Sequence, residues 1–182
     1  VNDARTMGDT LKQLGFTVMV AENQSRQAFS QTLLAFDTAV EAGDTAFFFY
    51  AGHGFEIAGQ NFLLPTDVPA ATEGQEELVR DASVLADRII ERMQNRKVRT
   101  AILVFDACRN NPFADIAKTA PRGLALVNAP AGTLIAYSTS PGTTADDGTG
   151  SNSPFAAALL KSAREPGLAI ETMLKSVRLS VH

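Results

Sequence analysis

Apolar positions along the chain fall into two rhythms, one helical and one continuous. Ala4, Met7, Leu11 and Leu14 recur at helical spacing, behind Asn2-Asp3 as a possible cap and ahead of Gly15 as a stop. The run Phe16-Thr-Val-Met-Val20 predicts a strand. Phe29, Leu33, Phe36 and Val40, spaced 4, 3 and 4 residues apart, predict a second helix that ends near Gly43. Thr45 to Ala51 is apolar without alternation, which predicts a strand buried on both faces, as in a parallel sheet covered by helices. Gly52-His53-Gly54 then reads as a sharp loop, and residues 55–64 as a short hairpin around Gly59.

The second half continues the pattern. Residues 65–80 read as polar loop. Val84/Leu85, Ile89 and Met93 predict a helix over about 81–95, and Arg92, Arg96, Lys97 and Arg99 its solvated C-terminal end. Thr100 to Phe105 and Thr133 to Tyr137 are further buried strands, separated by a long irregular stretch over 109–131. Ser153-Pro154 starts a helix, with Ser as N-cap and Pro in the first turn; Pro166-Gly167 breaks it; Ile170, Leu174 and Val177 mark a last one. Helices alternating with strands predict an α/β fold, a three-layer α/β/α sandwich with a mainly parallel central sheet. Residues 1–182 read as one domain. A first element that is helical suggests a strand before Val1 in a longer parent chain, with trimming at both ends.

Composition narrows the function classes. Sixteen basic against 20 acidic residues give a net charge of −4, with no electrostatic case for nucleic acid or an anionic membrane. No apolar run approaches the ~20 residues of a membrane span, and no signal peptide opens the chain, so localisation stays open. A single cysteine excludes an internal disulfide, and one Cys with two His cannot build a structural zinc site. No Gly-rich loop follows a strand with the lysine that phosphate cradling requires.

In open α/β sheets, sites lie beyond the carboxyl ends of the strands, and His53, Cys108 and Ser138 fall at such ends. Cys108 leaves an apolar strand for a polar turn. As a nucleophile it needs a neighbouring base or a depressed pKa; read blandly it is a small buried hydrophobe. His53 is the candidate base, because His182 is the terminal residue. Its flanking glycines allow close backbone approach, and the Gly54 and Cys108 N–H groups are candidate oxyanion donors.

Phe49-Tyr-Ala-Gly-His-Gly54 and Asp106-Ala-Cys-Arg-Asn-Asn-Pro112 resemble the histidine and cysteine motifs of the caspase-like superfamily, with the nearest likeness to bacterial caspase-like proteins (orthocaspases) and metacaspases. The separation, 108 − 53 = 55 residues, is similar to the caspase spacing of about 50. Gln60-Asn-Phe-Leu-Leu-Pro-Thr-Asp67 and Tyr137-Ser-Thr-Ser-Pro-Gly-Thr-Thr-Ala-Asp-Asp147 also resemble the family, the latter its pocket-forming segment. The resemblance implies a cysteine endopeptidase acting on peptide or protein substrates: Cys108 as nucleophile, His53 as proton donor to the leaving amine, Gly54 and Cys108 N–H as oxyanion donors.

It also implies a large-subunit-like part over about 1–115, a linker over about 116–131 where Lys118 and Arg122 would suit self-cleavage, and a small-subunit-like part over about 132–182. Asp106, two residues before Cys108, points to the same side if the strand continues. With Ser138 and Asp146 it would line a pocket selecting a basic P1 residue, as in metacaspases. No organic cofactor is implied. Calcium activates many metacaspases, and Asp67, Glu73, Glu76 and Glu77 are candidates, although their spacing matches no calcium loop. The competing readings are an inactive caspase-fold interaction module and a legumain- or gingipain-like peptidase.

Overall fold

Among the described residues the elements run α1 (Asn2–Gln13), α2 (Arg26–Ala39), β1 (Thr45–Ile57), β2 (Gln60–Leu63), α3 (Glu76–Ala82), β3 (Val84–Leu85), α4 (Ala86–Asn95), β4 (Thr100–Cys108), β5 (Thr133–Tyr137), α5 (Pro154–Ala163) and α6 (Ile170–Val181). They are seen in a computed structural model that describes residues 1–70, 72, 74–108, 124–125, 127–138 and 150–181, the side chain of Cys108 excepted. The residues group into two compact units, Asn23–Ala145 and Val1–Glu22 with Asp146–His182.

The larger unit holds a five-stranded sheet in the order β3-β2-β1-β4-β5. Its centre is parallel: β1 runs beside β4 in register from Thr45↔Thr100 to His53↔Cys108, and β4 beside β5 from Ala101↔Thr133 to Phe105↔Tyr137. The hairpin side is antiparallel, with Gly54↔Leu63 to Ile57↔Gln60 between β1 and β2, then β2 against β3. The fold class is therefore α/β with a mostly parallel sheet, as the alternation of patterns implied.

β4 explains its own apolar run. Ala101, Leu103, Phe105 and Ala107 join a buried cluster with Phe29 and Leu33 of α2 and Ile89, Ile90 and Met93 of α4. Ile102 and Val104, of opposite parity, are buried as well, so β4 is covered on both faces. Each buried Leu, Ile, Val or Phe among them contributes about 1.5–3 kcal/mol, which makes β4 the strand the unit is built on. Phe47 and Phe49 of β1 are only half-buried, and so is all of β5, which has one strand neighbour among the described residues.

Four local expectations need correction. Gly52-His53-Gly54 is not a loop: β1 passes straight through it to the Ala58-Gly59 turn, where both residues take positive φ. Residues 65–80 are not all loop, because α3 occupies Glu76–Ala82. The helix expected over 81–95 is interrupted by β3, because Val84 and Leu85 pair with Leu63 and Phe62 before α4 begins. Arg92 is not simply solvated, since it pairs with Asp37 of α2.

In the smaller unit, α1 starts one residue earlier than expected, with Val1 at the cap position. Asp3 lies in its first turn and accepts hydrogen bonds from Asn152 Nδ2 (2.8 Å) and the Ser153 N–H (3.1 Å) instead of capping its own helix. Ser153 caps α5 as expected, its Oγ accepting from the Ala156 N–H at 2.9 Å. Phe16 to Val20 forms no strand: among the described residues no segment pairs with it in a ladder, and the Phe16 N–H donates to Leu11 O at 3.0 Å. It lies against α1 at Gly8, where a Cβ would stand 2.6 Å from Val20 Cγ2.

Candidate active site

β1 changes partner in the middle of the histidine motif. Up to His53 it pairs with β4; from Gly54 it pairs with β2. His53 is thus the last residue of the parallel ladder, and its register partner is Cys108, the last residue of β4. Neighbouring strands stand about 4.8 Å apart, so the two backbone positions are adjacent although 55 residues separate them in sequence. His53 is exposed to solvent, whereas Gly54 and Phe55 beyond it are buried.

Tyr50 holds this junction. Its hydroxyl proton faces two carbonyl oxygens, His53 O at 2.8 Å and Leu64 O at 3.1 Å. The Leu64 N–H also donates to His53 O, at 3.0 Å. The carbonyl of the candidate base is therefore fixed from two sides. The Tyr50 ring stacks on Phe29 of α2, with centroids 6.1 Å apart. To reach His53 the ring lies over Gly52, where a Cβ would stand 2.7 Å from the Tyr50 oxygen. Gly52 is thus needed for close approach. Burial pushes the Tyr50 phenol well above its ordinary pKa.

Gly54 is also fixed by contact. A Cβ there would meet Phe62 O at 3.1 Å and the Leu124 side chain at 3.2 Å. The Leu64-to-His53 bond makes Gly54↔Leu63 a non-hydrogen-bonded pair, which turns the Gly54 N–H away from β2 toward the β4 side of the strand.

Asp106 is buried in β4, beside Ala51 of β1. By strand parity His53, Ala51 and Asp106 share one face, opposite Phe105 and Ala107. Ser138 follows β5; its N–H donates to Phe105 O at 3.0 Å, which brings it alongside Asp106. The Ser138 Oγ is buried and has no hydrogen-bond partner among the described residues. Such a group costs about 1–3 kcal/mol unless something binds it. The parallel ladders thus bring the His53, Cys108, Asp106 and Ser138 positions to the same end of the sheet. Lys118, Arg122 and Asp146 lie outside the described residues, as does the Cys108 side chain.

The described calcium candidates each have another partner. Asp67 Oδ1 accepts the Arg26 N–H at the start of α2 (2.7 Å), Glu77 pairs with Arg80 (2.6 Å), and Glu76 accepts the Gly74 N–H (3.3 Å). Glu73 lies outside the described residues, and among those described no three acidic, His or Cys side chains converge.

Sequence reasoning missed Tyr50 and Asn61. Asn61, buried in β2, donates from Nδ2 to Ala125 O (2.8 Å), and its Oδ1 accepts the Ala125 N–H (2.6 Å). With buried Leu124 it pins the chain just after the 109–123 stretch. The available signal was a polar residue directly before an apolar run, which when buried must find partners.

Among curated proteins, the chain is similar to mucosa-associated lymphoid tissue lymphoma translocation protein 1 of Homo sapiens, 28% identical over 118 residues, or 62% of this chain and 13% of that protein. The homolog from Mus musculus is 25% identical over 114 residues, again 62% of this chain and 13% of its own. The match therefore spans a small part of those relatives. The family model of the caspase domain, the C14 peptidases, matches residues 1–182 from end to end. With its parallel β1–β4–β5 sheet, this chain belongs to the caspase-domain family.

Proposed function

We propose that the chain is a cysteine endopeptidase that works with a Cys108–His53 dyad and cleaves after Arg or Lys. The observation that carries this reading is the His53↔Cys108 register at the end of the parallel ladder. The Cys108 thiolate attacks the scissile carbonyl, forming a C–S bond and placing negative charge on the oxygen. The Gly54 and Cys108 N–H groups hold that oxyanion, consistent with a Gly54 N–H turned away from β2. His53 gives its proton to the departing amine as the C–N bond breaks. It then takes a proton from water, which hydrolyses the thioester and frees Cys108. Solvent exposure of His53 suits this traffic.

The P1 preference rests on Asp106, buried near the strand ends, with Ser138 Oγ as a further polar group and Asp146 as a second acid. A carboxylate there attracts a guanidinium or ammonium and repels a P1 carboxylate. Lys118 and Arg122 are the proposed self-cleavage positions, read by intact mass of wild type against Cys108→Ala.

The deciding experiment compares fluorogenic peptides ending in Arg, Lys or Asp, with and without calcium, on wild type and Cys108→Ala. Cleavage after Arg or Lys that vanishes in Cys108→Ala is expected. Faster cleavage after Asp would overturn the specificity. A folded but inert wild type would favour a caspase-fold interaction module.

A further inference from the structure

We propose that an arginine-lined cleft in the larger unit, formed by α2, the α3–β3–α4 segment and β2, binds a small phosphate-bearing anion. The cleft has a volume of about 530 Å³, within the range of small-molecule sites. Four arginines from three helices line it, Arg26, Arg80, Arg88 and Arg92, against one acid, Asp81. This concentration stands in a chain whose net charge is −4. Phe62 and Val84, both buried, give it an apolar floor.

The four cations are not equivalent. Arg80 and Arg92 are already engaged, by Glu77 and Asp37. Among the described residues no acid pairs with Arg26 or Arg88. Arg26 donates to Ser30 Oγ, yet its Nε is buried with no hydrogen-bond partner. A buried guanidinium N–H without a partner costs free energy that an anion would recover. Guanidinium forks match phosphate oxygens in pairs, and a phosphate offers enough oxygens for forks approaching from several helices, whereas a carboxylate has two. Recognition here rests on arginine side chains, not on a Gly-rich loop. The site is independent of the peptidase reading, since it uses neither His53 nor Cys108.

The phosphate could be inorganic or carried by a nucleotide, and titration calorimetry of the full chain with pyrophosphate and with ADP separates the two. Equal affinities indicate an inorganic ligand; tighter ADP binding indicates use of the apolar floor. Either supports the site if affinity falls at least tenfold in Arg88→Glu and in Arg26→Gln and persists in Cys108→Ala. Arg88 is exposed and unpaired among the described residues, so its variant decides the matter if Arg26→Gln does not fold. Absence of binding by both anions at millimolar concentration, or unchanged affinity in Arg88→Glu, would overturn the proposal.

Discussion

The Tyr50 hydroxyl reaches three residues along its own strand to the carbonyl of His53, 2.8 Å away. A regular strand would carry His53 about 10 Å further on, so the contact exists because the ring lies back over Gly52. Removing the hydroxyl in Tyr50→Phe takes its donor from the part-buried Leu64 O, while His53 O keeps the Leu64 N–H. Urea denaturation should show a loss of about 0.5–1.5 kcal/mol. If the junction also sets His53, kcat falls while KM stays close to wild type. An unchanged kcat would make Tyr50 a purely structural anchor.

Stability should respond to alkali at the same residue. The folded-state pKa of Tyr50 is raised above its unfolded value, so its contribution is complete below the unfolded pKa. It is lost as pH rises from about 10 toward the folded value. Wild type should therefore lose stability above pH 10 more steeply than Tyr50→Phe, in denaturant midpoints taken from pH 8 to 11. Parallel curves would contradict this.

Gly52 and Tyr50 should be energetically coupled. The Gly52→Ala methyl would press on the tyrosine ring, and overpacking of this kind costs about 1–3 kcal/mol. In a Tyr50→Leu background the obstruction is gone. A double-mutant cycle should then give a coupling above about 0.5 kcal/mol; additive effects would mean that the ring moves aside freely.

Asn61→Ala should release the chain at Ala125. Two hydrogen bonds are lost and the Ala125 amide groups must find water, a cost of about 1–3 kcal/mol by chemical denaturation. Limited proteolysis should cut the variant faster than wild type near residue 125. Equal rates would show that Leu124 packing alone holds this segment.

Asp106→Asn tests the proposed pocket. Cleavage after Arg should drop at least tenfold in kcat/KM, with KM rising more than kcat falls. A variant that keeps wild-type preference for Arg over a neutral residue would remove Asp106 from the specificity argument.

The sequence made the sheet centre and the candidate pair legible for a shared reason. Thr45–Ala51 and Thr100–Phe105 lack polar alternation, a pattern that suits strands inside a parallel sheet, although only β4 is buried along its length. The Ser153-Pro154 cap was readable because one residue type fills it by direct hydrogen bonding. What escaped depends on tertiary context. Glycines beside His53 suggested a loop, but the Tyr50 ring occupies the space above Gly52 and the strand continues. β3 is two residues long and has no periodicity to detect. Phe16–Val20 has strand composition, but composition cannot supply a neighbouring ladder. Tyr50 was hidden as one hydroxyl within an aromatic run.

Because β1 serves both halves of the sheet, length errors along it have unequal consequences. An extra residue at the Ala58-Gly59 turn lengthens a solvent-exposed loop and leaves both ladders in step. One inserted between Thr45 and Gly52 forces a choice: the parallel ladder slips, or the hairpin does. If the hairpin slips, position 53 no longer comes level with position 108; if the ladder slips, the β1 residues before the insertion change face. Insertion scanning along β1 should thus reveal a ruler, silent beyond Ile57 and intolerant before His53.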